Sequence, residues 1–322
     1  MQEATQPLAG VLVAELAWYL PIAFAGQELV RLGARVVRIE PPDGDPLRRT
    51  APAWDRALAR GKESVVCDLR ADPSLALAIC SRADVVLEGL RPGVADRLGI
   101  GADDLPLSVV HCSITGFGHD GRHAQRVGHD LNYLGWAGVL EDTPTWPPVQ
   151  IADLGAGALG AVTEVLAALV RRGRTGEGAR LAVSMTHRSH ALVAYRLEGD
   201  PGDRLLTGGL ACYRVYPTAD GRRLTVAALE PRFFATVCAV LGRPELAERQ
   251  YGGDQEALAR ELAAAFATRS LADWLERFDG EEACVGPVST RAEAAAEFAL
   301  PPVAGEEVPL GAHTAAWAAE VS

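Results

Sequence analysis

Two stretches of the 322-residue chain hold side chains suited to moving a proton. In Gly128-His129-Asp130-Leu131-Asn132-Tyr133 an imidazole stands beside a carboxylate, in the segment that holds the only asparagine of the chain. Asp153 follows 24 residues after His129. Imidazole titrates near neutrality and can act as a base, and a carboxyl group shielded from water can act as an acid at the same pH. A lone histidine is more often structural, so spacing alone leaves both roles open for His129. His119 and His123 have the i, i+4 spacing of two metal ligands on one helix face, but Gly118 and Gly121 argue against a helix there. No metal site is expected. No Gly-x-Ser-x-Gly elbow marks a serine nucleophile.

Two further motifs suggest anion binding. Of the 31 basic residues only Lys62 is lysine. GC-rich codon usage accounts for the scarcity of lysine but not for its survival here, and arginine does not replace lysine at a tight anion site. Residues 31–70 carry nine basic and six acidic side chains, a net +3 inside a chain of net charge −11. That strip, with Arg38 at the end of a strand, suits a phosphorylated ligand. Gly155-Ala156-Gly157-Ala158-Leu159-Gly160 matches GxGxxG, yet it lies mid-chain, with no strand before it ending at an acidic residue at the required distance. Close helix packing is one alternative. The other is a helix start whose open N–H groups face a developing anion.

The elements that would position these groups alternate. Apolar runs at 10–16, 35–39, 64–67, 84–87 and 108–112 read as strands, with helices at 24–32, 74–81 and 93–98 between them. Strand–helix–strand spacing argues for an open parallel sheet with ligands beyond its carboxyl ends. A helix over 157–172 follows, with Asp153 placed to cap it. The large domain is expected over 1–185 with a C-terminal return at 295–322, then a linker over 186–207. A smaller α+β domain over 208–290 opens with a hairpin turning at Ala219-Asp220-Gly221.

Composition narrows the classes. Hydrophobic residues make up 48% and charged residues 23%, enough for a substantial core. The net negative charge disfavours nucleic-acid binding. No apolar run reaches the length of a membrane span before Glu, Arg, Pro or Gly interrupts it, and Met1–Gly10 lacks the order of a secretion signal. The six cysteines lack CxxC spacing and read as buried thiols of a cytoplasmic protein.

Taken together, the segments resemble the class III CoA-transferase family and, within it, the 2-methylacyl-CoA racemases. The resemblance rests on Arg35–Pro42, Arg60-Gly61-Lys62-Glu63-Ser64-Val65, Leu87–Val94, Thr115-Gly116-Phe117-Gly118 and Gly128–Tyr133. It continues through Asp153–Gly157, Ala219-Asp220-Gly221, Ala228-Leu229-Glu230-Pro231 and Ala283–Val288. It implies a Rossmann-like large domain and a small domain in an interlocked homodimer. Arg38, Ala59, Arg60, Lys62 and Arg91 or Arg97 would hold CoA. His129 and Asp153 would be the catalytic pair, supported by Glu230 and Asp130, with Gly128, Asn132, Tyr133 and Gly155 beside the substrate.

The activity implied is inversion of C2 of a 2-methyl-branched acyl-CoA through an enolate. It needs no metal and no cofactor beyond the CoA of the substrate. The rival activity is CoA transfer through a covalent Asp153 intermediate, and a third reading is a CoA-binding protein without catalysis. Leu154 stands where the family has Phe. Leu181–Arg188 replaces the family's usual Val-Asp-x-x-Met-x-Asp-Gly run, and the stretch before Leu310 is short.

Overall fold

The computed structural model describes residues 6–16, 19–141, 147–199, 205–300, 303 and 305–322. Two compact units result, 1–195 with 302–322, and 196–301. Part of the expected linker, 200–204, lies outside the described residues.

The first unit is built on six parallel strands: β1 (Leu12–Leu16), β2 (Arg35–Glu40), β3 (Glu63–Val66), β4 (Val85–Glu88), β5 (Val110–Thr115) and β6 (Ala179–Ser184). Their order is β3-β2-β1-β4-β5-β6. The inner strands are Val- and Ile-rich because both faces are covered. Val13, Leu87 and Val110 pack into one core cluster, and Ala14, Val37 and Val86 into another. The order reverses between β1 and β4, which opens a crevice at their carboxyl ends. β6 escapes an apolar-run reading because it is an edge strand whose first residues alternate between half-buried and exposed. The other edge, β3, is closed by the chain terminus. His313 Nδ1 accepts the Ser64 N–H at 3.1 Å and Thr314 Oγ1 accepts the Val66 N–H at 2.9 Å, which leaves fewer free edge groups.

Two helices differ from expectation. α1 (Tyr19–Arg31) starts five residues before Phe24. Pro21 did not prevent this, since proline is tolerated in a first turn. The helix expected over 157–172 begins at Ile151. Over Ile151–Leu159 it is a wide π-helix, the form whose N–H groups reach back five residues. It then continues as the α-helix Gly160–Thr175 and ends at Gly176, φ +75°. Asp153 therefore lies inside the first turn and does not cap it. This continuous helix is long and apolar enough to cross a membrane by composition, contrary to expectation. In the fold its Ala152, Ala158, Ala161 and Val165 are buried in the core.

In the second unit the expected hairpin forms β7 (Tyr213–Pro217) and β8 (Arg223–Ala227), and β9 (Val285–Pro287) adds antiparallel to β8. Helices Pro231–Val240, Gln255–Phe266 and Leu271–Phe278 cover it, with Phe234, Phe266 and Trp274 in its core. Five cysteines are buried, as their apolar settings suggested. Cys284 is the exception, being exposed with φ +50°.

Candidate active site

A cleft of about 690 Å³ lies at the strand-order reversal. Its walls come from the segments that follow β1 (Tyr19, Pro21, Ile22), β4 (Gly89 to Pro92) and β5 (Thr115, Gly116), joined by Gly128, His129, Asn132, Tyr133 and Asp153. Of the residues singled out in the sequence, it thus gathers Arg91, Gly128, His129, Asn132, Tyr133 and Asp153.

Local structure explains their placement. His129 is the extended residue that opens the helix Asp130–Trp136, φ −130° and ψ 175°. Asn132 Oδ1 accepts the His129 backbone N–H at 3.1 Å and fixes that entry. The Tyr133 ring is pressed against two glycines. A Cβ at Gly116 would lie 2.5 Å from it and one at Gly128 2.9 Å. The Tyr133 hydroxyl donates to the Gly128 carbonyl, and burial, with Asp153 and Asp130 nearby, pushes it up to about 12. Asp130 joins the His129 segment to the wide helix, because its Oδ1 accepts N–H groups from Ala152 at 2.7 Å and Asp153 at 3.0 Å. A carboxylate at a helix start is favoured by the open N–H groups there.

Those bonds settle where the small residues of the motif stand. The N-terminal N–H groups of Ala152 and Asp153 are already occupied by Asp130. The N–H groups of Gly155 and Gly157 lie inside the π-helical ladder. Gly155 is exposed and off the cleft. The expectation that they present free donors to an anion is therefore corrected. Asp153 is half-buried, and burial first, then the like charge of Asp130, pushes its carboxyl up to about 7. Near neutrality it is poised between acid and base.

Arg38 and Lys62 also depart from expectation. Arg38 is 1% exposed, with Nη1 2.8 Å from Asp55 and Nη2 3.5 Å from Asp45. Lys62 is 4% exposed and donates to Glu15 at 2.6 Å and to the Ala23 carbonyl at 2.8 Å. Burial pushes Glu15 up and Lys62 down, so the two share a proton more evenly than a surface pair would. Three cations of the strip, Arg38, Arg48 and Lys62, are thus paired with buried carboxylates, and Arg38 and Lys62 do not point at solvent. Ala59 is buried, and Arg60 and Arg97 are exposed off the cleft. Glu230 is exposed at the start of Pro231–Val240 in the second unit. His119 bonds Ser113 at 2.8 Å, and His123 packs between Phe117 and Trp136.

One lining residue had no sequence signal. Tyr19 has φ +65°, a costly conformation for a bulky side chain. Its N–H is held by Asp45 Oδ2 at 3.0 Å, and its ring stands edge-on to His129 with centroids 6.4 Å apart. The buried ion cluster around Arg38 and Asp45 therefore supports a wall of the cleft.

The sequence pattern of CoA-transferase family III matches residues 8–301. The chain belongs to CoA-transferase family III. Family relatives include alpha-methylacyl-CoA racemase of Mus musculus, 34% identical over 309 residues, covering 89% of this chain and 79% of the relative. Succinyl-CoA–D-citramalate CoA-transferase of Chloroflexus aurantiacus is 30% identical over 306 residues, covering 85% and 76%. The crystal structure of a CAIB/BAIF family protein from Brucella suis has the same fold, with a TM-score of 0.82, 26% identity, and coverage of 99% of this chain and 100% of that one. Family III thus includes relatives named for isomerisation and relatives named for CoA transfer.

Proposed function

We propose that this family III enzyme is an acyl-CoA racemase or epimerase, exchanging a proton at C2 of a 2-methyl-branched thioester. The observation that carries this reading is the pairing of His129 and Asp153 in one cleft, with Asp153 held up to about 7. Inversion needs a base on one face of the carbon and an acid on the other, and the two exchange roles with the substrate enantiomer. A neutral imidazole takes the C2 proton while a protonated Asp153 delivers one to the opposite face. The thioester carbonyl carries the charge of the enolate between the two steps.

Transfer chemistry makes the opposite demand. A carboxylate that attacks a thioester works best when ionised, and the half-buried Asp153 beside Asp130 resists ionisation. Histidine at 129 also has no necessary part in transfer. In this reading Arg91, exposed at the cleft, meets the CoA phosphates. Glu230 would serve the site from a small domain in an interlocked homodimer.

The test is incubation of one chiral 2-methylacyl-CoA in D₂O with no acceptor acid. Deuterium at C2 together with loss of optical purity is expected. Absence of exchange, with hydroxylamine trapping an acyl group on Asp153, would establish the transferase instead.

A further inference from the structure

Behind the cleft, on the other side of the turn that follows β4, lies a small cavity of about 170 Å³. Glu88, His111, Ser113 and His119 line it, and Arg91 lines both cavities. Glu88 is the last residue of β4, and its register partner on β5 is Ser113, so the two side chains project to the same face. Glu88 is 2% exposed. A buried carboxyl group needs partners, and the turn that follows supplies one. Oε2 accepts the Leu90 N–H at 2.6 Å. Ser113 faces the carboxyl group and eases its ionisation, but burial dominates and pushes Glu88 up to about 7. On its other side the Ser113 hydroxyl hydrogen-bonds with His119 Nε2, 2.8 Å away.

Glu88, through the Leu90 N–H, holds the turn of Gly89, Leu90, Arg91 and Pro92, all of which line the cleft. The far end of the turn is tied as well, since Gln125 Nε2 donates to the Pro92 carbonyl at 3.2 Å. Nothing in the reaction proposed above uses Glu88, Ser113 or His119. Burying a carboxylate at the end of a strand is costly, and a neutral residue would close the same strand pair more cheaply.

We infer that Glu88 is a positioning residue for thioester binding, fixing the Gly89–Pro92 turn and with it Arg91, while His119 and Ser113 hold its carboxylate in the required rotamer. This rests on the acyl-CoA reading of the cleft. It assigns the three residues to substrate affinity and not to proton transfer.

The experiment measures free-CoA affinity by calorimetry, with KM and kcat for deuterium exchange, in the whole protein and in Glu88→Ala, Glu88→Gln, Ser113→Ala and His119→Gln. Removing the hydrogen bond that the buried carboxyl group makes to the turn is expected to weaken CoA binding and raise KM about tenfold in Glu88→Ala, with kcat at saturation nearly unchanged. Glu88→Gln keeps an oxygen for the Leu90 N–H and should restore affinity to within about twofold. Ser113→Ala and His119→Gln should lose about threefold each, and they provide the reading if Glu88→Ala does not fold. Unchanged CoA affinity in these variants, or a fall in kcat at constant KM, would overturn the inference. Wild-type protein that binds CoA without exchanging deuterium would refute the racemase and leave the role of Glu88 standing. Wild-type protein that does not bind CoA would refute the acyl-CoA reading and the inference built on it.

Discussion

Replacing Asp153 with Asn should make the protein more stable, and the gain should appear only as the solution becomes less acidic. The Asp153 carboxyl is pushed from an ordinary 3.8 up to about 7, chiefly by burial and then by Asp130. A native group that holds its proton more tightly than the unfolded chain destabilises the fold wherever that proton is lost. Below pH 3.8 both states are protonated and the residue contributes no penalty. Between 3.8 and 7 the native state binds more protons, so stability falls as pH rises. Above 7 the full penalty applies. The rise from 3.8 to about 7 corresponds to about 4 kcal/mol as an upper bound, and water reaching the cleft reduces it. Asn has the same shape and no charge to bury. Urea unfolding of the two proteins at pH 4 and pH 8.5 should therefore give nearly equal stabilities at the lower pH. At the higher pH the Asn variant should lead by about 1–4 kcal/mol, while catalysis is lost. Other titrating groups are common to both proteins and largely cancel in the difference. A difference that stays flat with pH would refute the claim that Asp153 is held protonated by its surroundings.

Two further outcomes test the surroundings of the site. Asp130→Asn removes the like charge beside Asp153 but keeps an oxygen for the Ala152 and Asp153 N–H groups, so the alkaline limb of the kcat/KM profile should move acidward, by about one pH unit at most. Both enantiomer directions should shift together because their equilibrium is fixed; a limb that stays put would remove Asp130 from the tuning of Asp153. Lys62→Met leaves Glu15 buried without its 2.6 Å partner and should cost about 3–5 kcal/mol in urea unfolding, while CoA affinity of the folded protein holds. A large loss of CoA affinity at unchanged stability would return Lys62 to a phosphate site.

The strand pattern was legible because fully covered parallel strands are short apolar runs, as at Val36-Val37 and Val85-Val86-Leu87. β6 was not, since an edge strand buries one face and its Arg180 and Ala182 interrupt the run. His129, Asn132 and Tyr133 were legible as a segment whose rare residue types cluster. Asp153 was legible as a candidate, but its first-turn position was not, because a π-helix has no signature in residue periodicity. Arg38 and Lys62 misled for a definite reason. Counting charges along 31–70 records how many cations there are but not which carboxylates they meet, and Glu15, 47 residues before Lys62, comes to it only through the β1–β2–β3 register. Tyr19 was invisible because a positive φ at tyrosine is imposed from outside, by Asp45 and the ions around it.

The wide helix over Ile151–Leu159 also sets how the protein tolerates changes of length. A π-helical ring contains one residue more than an α-helical ring. The segment is therefore backbone slack, tied at one end by Asp130 and clamped at the other by the packed residues Val162 and Val165. Losing one residue between 154 and 159 lets the slack close into an α-helix, and the clamped half keeps its face toward the sheet. Gaining one has no such outlet, and would turn Asp153 by about 100° around the helix axis, away from the cleft. Between Asp153 and Val162 the chain should accept deletions far more readily than insertions.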